Sequence, residues 1–234
     1  DNLALISSVP ATSSASGLSV NPITGRIYLE TYENGGGIQI FDPTNYTPLG
    51  FVSTGRGPGE IACDTQRNKV YVANTAAGSV DNSITVLNAT TDGYEATLTN
   101  IQMQTSHDIT SVAVDPATNT VYGGDDSNGS NLHGYVSVFN GPTTYDYVGQ
   151  VDSSNYPVRL LFNAISHELY VATYNGGSIE VFGTGVPAGP PPPAHGGLSE
   201  TVFRINGSKN PSGNLADTAI HFSAQQTGTP AGLK

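Results

Sequence analysis

The sequence predicts an all-β protein: a four-bladed β-propeller closed by its N-terminal strand, with a Pro-rich linker and an extended C-terminal tail. Three observations carry that expectation. An eleven-residue frame of strand, short turn and strand occurs four times: LSVNPITGRIY at 18–28, IACDTQRNKVY at 61–71, VAVDPATNTVY at 112–122 and LLFNAISHELY at 160–170. Period-two alternation on both sides of turn residues reads as a β-hairpin. The closing tyrosines, Tyr28, Tyr71, Tyr122 and Tyr170, are spaced by 43, 51 and 48 residues, and a period of about 45 in a strand-rich chain marks propeller blades. Finally, the fourth repeat ends one strand short while a spare alternating stretch stands at the N-terminus.

Two frame positions have a clear physical role. The fourth is always Asn or Asp (Asn21, Asp64, Asp115, Asn163), whose side chain can accept a hydrogen bond from the turn backbone two residues on. The eighth is Gly25, Asn68, Asn119 and His167. Those residue types tolerate positive φ best, so this position is expected to be left-handed in every copy.

Taken in order, residues 1–9 alternate like a strand and fall in the register of a blade's outermost strand. Blade one is expected at 17–22, 25–32, 37–42 and 47–53, and blade two at 60–64, 69–74, 83–88 and 95–101. Blade three follows at 110–115, 120–124, 135–140 and 145–152. Blade four has 157–163, 168–174 and 178–183, where the pattern stops. Residues 3–8 are therefore expected to complete the last blade, since closure removes edges that would invite pairing with another chain. An excerpt of a larger ring and two chains sharing one ring are the alternatives.

The Asp-Pro-x-Thr-Asn-x-Val-Tyr of 115–122, KVYVAN at 69–74 and ITVLN at 84–88 resemble the YVTN family of β-propeller repeats over roughly residues 1–183. The resemblance is specific for fold. For function it spans surface proteins, binding modules and occasional enzymes.

Residues 184–197, TGVPAGPPPPAHGG, read as a linker whose four consecutive prolines favour polyproline II. Residues 198–234 form an extended β-type tail too small to fold alone. Val202, Phe203, Ile205, Ile220 and Phe222 give it apolar alternation that a merely solvating segment does not need. They are the candidate assembly residues, suited to adding a strand to a neighbouring copy, with docking on the chain's own propeller and a disordered tail as the alternatives.

Charged residues make up 12% of the chain, about half the usual share. Eight Lys and Arg stand against nineteen Asp and Glu, a formal net of −11. That balance excludes a phosphate-neutralising surface, so no nucleic-acid partner is expected. No apolar run approaches the roughly 20 residues of a membrane span. The absence of an initiator Met and of a signal peptide fits a processed mature chain or an excerpt. The single cysteine, Cys63, reads as a small buried hydrophobe. Four Asn-x-Ser/Thr sequons, at Asn45, Asn88, Asn128 and Asn206, sit at loops, strand ends or the tail, so covalent glycans and a secreted source are expected.

Catalytic constellations are missing from the sequence. The five histidines never come closer than 26 residues to each other in sequence, so a transition-metal site has no support, and no cofactor is expected. GRGPGE at 55–60 lacks the following Lys of a phosphate loop and reads as a turn. DDSNGSN at 125–131 echoes a calcium loop but has Val136 where the bidentate glutamate belongs, so a solvated loop is expected. The resemblance extends to lactonase-like propellers, which implies carboxylates and an Asn around a channel metal. First-strand residues available here are Ser19, Ala62, Cys63, Ser111, Ala113, Arg159 and Leu161, with no acidic ring. Tyr32, Tyr94, Tyr145, Tyr147, Tyr156 and Tyr174 could form a binding face.

The function expected is that of an extracellular or cell-surface structural glycoprotein, not an enzyme, whose partner is itself. Copies would join through the tail into a surface layer or filament. An extracellular binding module for a glycan or protein is the alternative, and a lactonase-like hydrolase stands third.

Overall fold

Fifteen strands build four antiparallel sheets, one per repeat, in the computed structural model, which describes residues 4–32, 35–75, 82–99, 107–127, 134–140, 144–153, 156–174 and 177–183. The chain divides into one unit at Asp1–Gly189 and a second at Pro190–Lys234. The second lies wholly outside the described residues, as do the linker 184–197, the tail 198–234 and its assembly candidates Val202, Phe203, Ile205, Ile220 and Phe222.

Blade one comprises β1 (Ala15–Val20), β2 (Ile27–Thr31), β3 (Gly37–Phe41) and β4 (Pro48–Ser53). Blade two comprises β5 (Pro58–Asp64), β6 (Lys69–Asn74), β7 (Ser83–Asn88) and β8 (Gly93–Leu98). Blade three comprises β9 (His107–Asp115), β10 (Thr120–Ser127), β11 (Gly134–Asn140) and β12 (Asp146–Ser153). Blade four has β13 (Pro157–Asn163), β14 (Glu168–Thr173) and β15 (Ile179–Gly183). Each sheet is a meander in chain order.

The frame behaves as its residues dictate. In each first turn the Asx oxygen accepts the amide two residues on: Asn21 from Ile23 at 2.9 Å, Asp64 from Gln66 at 2.8 Å, Asp115 from Ala117 at 2.9 Å and Asn163 from Ile165 at 2.9 Å. The eighth positions have φ of 71° (Gly25), 53° (Asn68), 59° (Asn119) and 54° (His167). The tyrosines occupy equivalent second-strand positions, opposite Ser19, Ala62, Ala113 and Leu161. The second turns repeat a device of their own, with Tyr46, Asp92 and Tyr145 at φ of 60°, 54° and 50°.

Successive sheets pack face to face. Tyr28, Ile38 and Ile40 of blade one meet Val70 and Val72 of blade two. Tyr71, Ile84 and Val86 meet Val112, Val114 and Val121 of blade three. Tyr122 and Val136 meet Leu160, Leu169 and Val171 of blade four. In blades two and three, one side of the second and third strands thus faces the next blade, and alternation sends the other side back to the previous one.

One expectation is corrected. Residues 4–8 lie outside any strand, residue 3 is outside the described residues, and blade four has three described strands. The stretch behind this segment is held to blade one instead: the Thr12 amide donates to Gln39 Oε1 at 3.1 Å, and the Tyr32 amide to the Ser14 carbonyl at 3.2 Å. Alternation marks a segment as strand-forming but does not specify which edge it meets.

Candidate functional site

The place where the repeat breaks its own pattern is the start of the first strands. In every blade the first strand carries one extra residue relative to the second, a β-bulge in the 16–17 step of blade one and at Gly59, Thr110 and Val158 in the others. Bulges re-aim the neighbouring side chain. The residues just after them are Gly17, Glu60, Ser111 and Arg159, four different chemistries at one structural position. Their cross-strand partners, two residues beyond each tyrosine, are Glu30, Ala73, Gly124 and Ala172. Blades two to four keep that partner small, and blade one alone has a glutamate there.

Glu30 fits because Gly17 has no side chain: a Cβ on Gly17 would lie 2.6 Å from the Glu30 carboxylate. The Ser16 hydroxyl donates to Glu30 Oε2 at 3.0 Å, and Glu30 is fully buried. Burial raises its pKa, while Ser16 and the Arg159 charge act against that rise. Glu60 joins three blades. Its Oε2 accepts the Val112 amide of blade three at 3.2 Å, the Leu160 amide of blade four also donates to it, and its Oε1 stands 3.5 Å from the Arg159 guanidinium. Arg159 also donates to the Gly59 carbonyl at 3.3 Å. Burial pushes the Glu60 carboxyl up to about 7 despite Arg159 and the two amides, and nearby Glu30 adds to the rise. Such a carboxylate satisfies inner-strand amides that face no further strand.

Hydroxyls stitch the same region. Thr110 donates to the Pro157 carbonyl at 2.7 Å, Ser16 approaches the Pro58 carbonyl at 3.4 Å, and Thr75 donates to the Ile109 carbonyl at 2.8 Å. Glu60, Arg159, Thr110, Thr75 and the Ser16–Pro58 contact of this layer thus link one blade to another, while the Ser16–Glu30 bond lies within blade one. Among the described residues no group of three metal-ligating side chains gathers.

The residues singled out from sequence fall in several places. Ser111 and Ala113 are buried, Ser19, Ala62 and Cys63 are half-buried, and Leu161 is exposed on blade four. Cys63 lies 3.7 Å from the Ser19 hydroxyl, and burial pushes its thiol pKa up, which suits a packing residue rather than a nucleophile. Glu30 and Glu60 were missed, although their departure from the repeat is visible in the sequence. Asp125 is buried in β10, which runs to Ser127, so the start of DDSNGSN is strand rather than solvated loop; residues 128–131 are outside the described residues. Tyr145 is also core, edge-on to Tyr71 at 6.2 Å, whereas Tyr32, Tyr94 and Tyr174 are exposed.

Of the sequons, Asn45 is exposed and its Oδ1 accepts from the Thr47 hydroxyl at 2.7 Å. Asn88 is half-buried, its Oδ1 turned to the Thr90 amide at 2.9 Å. Asn128 and Asn206 are outside the described residues. At the turn end of blades one and two, a groove of about 450 Å³ includes Thr24, Arg26, Asp42 and Leu49. Arg26 is already committed there, 2.5 Å from Asp92 and 3.0 Å from the Ala89 carbonyl.

Among the described residues, apolar side chains are uncovered at the two ends of the blade array. Ile179 and Val181 occupy the positions of the fully buried Ile38 and Ile40, yet are 55% and 48% exposed. Leu18 and Val20 occupy the positions of Ile61 and Cys63, which pack against blade one, yet are 67% and 48% exposed. Blade four's leading face and blade one's trailing face are the two halves of an interface already made three times within the chain.

No family model matches the chain, and no curated protein matches it. Among solved structures it is similar to a chain of the Kuenenia stuttgartiensis hydrazine synthase, with a TM-score of 0.59 and 14% identity over 78% of this chain and 49% of that one. It is also similar to a chain of a mitotic checkpoint complex, with a TM-score of 0.57 and 16% identity over 74% and 49%. Both are of propeller type, and the chain spans about half the length of each. The likeness establishes a propeller-type all-β fold.

Proposed function

We propose that this chain is an extracellular structural glycoprotein of the YVTN propeller type, a non-catalytic subunit that joins copies of itself. The observation that supports this best is the pair of open apolar blade faces, with Ile179 and Val181 on one and Leu18 and Val20 on the other. Exposed apolar surface of this kind marks interaction sites, and strand edges beside it offer backbone hydrogen bonds. The axial layer favours scaffold over catalysis, because Glu60 and the Thr110 hydroxyl are engaged in holding blades together and Glu30 is engaged by Ser16 within blade one. Low charge and the four sequons support a secreted setting, with glycans at Asn45, Asn88, Asn128 and Asn206. The tail, through Val202, Phe203, Ile205, Ile220 and Phe222, straps each copy to the next in a filament or layer.

Mass in solution tests the reading. The natively purified chain is expected to be oligomeric and heavier than its polypeptide by the mass of attached glycan, and removal of residues 185–234 is expected to reduce its oligomeric state. A monomeric full chain refutes the assembly. An unchanged oligomer after truncation refutes the role of the tail.

A further inference from the structure

Blade four lacks a described outer strand, and residues 5–9 carry the pattern of one. Each complete blade has a bulky residue, a small residue and a Val or Leu at alternate positions of its fourth strand: Pro48, Gly50, Val52; Tyr94, Ala96, Leu98; Tyr147, Gly149, Val151. These pair with the third strand in one register, shifted by a bulge between the bulky and the small residue. Blade one shows Ile38↔Val52, Ile40↔Gly50 and Phe41↔Pro48, and blade three shows Val136↔Val151, Val138↔Gly149 and Phe139↔Tyr147. Leu5, Ser7 and Val9 repeat the triplet. Val9 precedes β1 at Ala15 by the same interval that separates Val52 from Pro58 and Val151 from Pro157. Applied to β15, the register is Val9↔Ile179, Ser7↔Val181 and Leu5↔Phe182.

In this chain residues 4–9 are not paired with β15. Leu5 and Ile6 are each 86% exposed, and the bond from Thr12 to Gln39 holds the base of the segment to blade one. Any sheet this segment completes must sit beside blade one's trailing face, where Leu18 and Val20 are uncovered. We infer that residues 5–9 add to β15 of a second copy, as the fourth strand of its blade four. The same contact seats that copy's Tyr170, Ile179 and Val181 on this chain's Leu18 and Val20. It continues the blade-to-blade series across the subunit boundary, in the direction that already relates blades one to four. The interface is head-to-tail, so repetition gives a ring or a helical filament. The inference rests on the assembly reading above and names one of its contacts; the tail is left to other edges.

Mixed disulfide formation tests it. With Cys63→Ala in both, one chain carries Ser7→Cys and the other Val181→Cys, both at exposed positions. Directly opposed residues of an antiparallel pair lie within the span a disulfide bridges. Mild oxidation of the mixture is expected to give a Ser7Cys–Val181Cys heterodimer on a non-reducing gel. A control with Ser8→Cys, which falls in the regular part of the register opposite Glu180 and so turns its side chain to the other face, is expected to give none with Val181→Cys. An intrachain bridge in the doubly substituted chain without a mixed dimer overturns the inference in favour of closure within one chain. No bridge in a mixture that remains oligomeric also overturns it, leaving the assembly reading intact. A monomeric mixture overturns both.

Discussion

At the scale of single residues, the turn positions and the axial carboxylates make opposite demands. Asn119 is nearly buried and holds φ at 59°, a conformation that costs an L-residue about 1–2 kcal/mol unless its side chain is short and polar or absent. Asn119→Gly is expected to leave the urea midpoint nearly unchanged, whereas Asn119→Val should lower stability by about 1–2 kcal/mol. Glu60 is governed by charge instead. Its folded pKa is raised from 4.5 to about 7, chiefly by burial, so folding favours the protonated form. The stabilisation is complete below the unfolded pKa and is lost as pH rises through the folded one. Glu30 is shifted in the same direction. Melting temperature is therefore expected to fall between pH 4.5 and 7, and Glu60→Gln should flatten that slope without abolishing it, because Glu30 still titrates. A slope unchanged in the variant would show that Glu60 does not titrate as described.

At the scale of the element, one strand position has different worth according to what its blade faces. Tyr71 is fully buried between blades two and three, while Tyr170, its equivalent, is half-buried on the open face of blade four. Truncating a buried aromatic to alanine costs about 3–5 kcal/mol through lost contacts and a residual cavity. Tyr71→Ala is expected to lose that much in denaturant titration. Tyr170→Ala in dilute, monomeric protein should lose clearly less, and its main effect should be on self-association. Equal losses would mean that blade four's leading face is covered within the chain. The bulged first strands tie the elements together, since the extra residue places Ser16 and Thr110 against the next blade's carbonyls and turns Glu60 toward blades three and four.

At the scale of the whole molecule, three inter-blade interfaces are made and a fourth is open on both sides. A charge on either open face would have to be desolvated in any partner contact but meets water in the isolated chain. Leu18→Asp and Val181→Asp are each expected to leave the circular dichroism spectrum and melting temperature of dilute protein nearly unchanged while lowering the sedimentation coefficient at high concentration. Loss of folding in dilute protein would show instead that the two faces close on each other within one chain.

The sequence by itself determined the local elements. Four frames, their Asx turns, the left-handed eighth positions and the equivalence of Tyr28, Tyr71, Tyr122 and Tyr170 were all legible, because each depends on residues adjacent in the chain: side-chain period, positive φ and a short hydrogen bond. Strand limits shifted by a few residues for the same reason, since ladders end where partners end. The axial pair Glu30 and Glu60 was legible only as a breach of the repeat. That the breach places a carboxylate against amides of blades three and four follows from bulges and from sheets brought together in space. That residues 4–8 join none of the four sheets was legible only in the tertiary structure. Alternation makes a segment able to pair, but many edges satisfy the same backbone groups, and the choice falls to the contacts around it, here the bond of Thr12 to blade one.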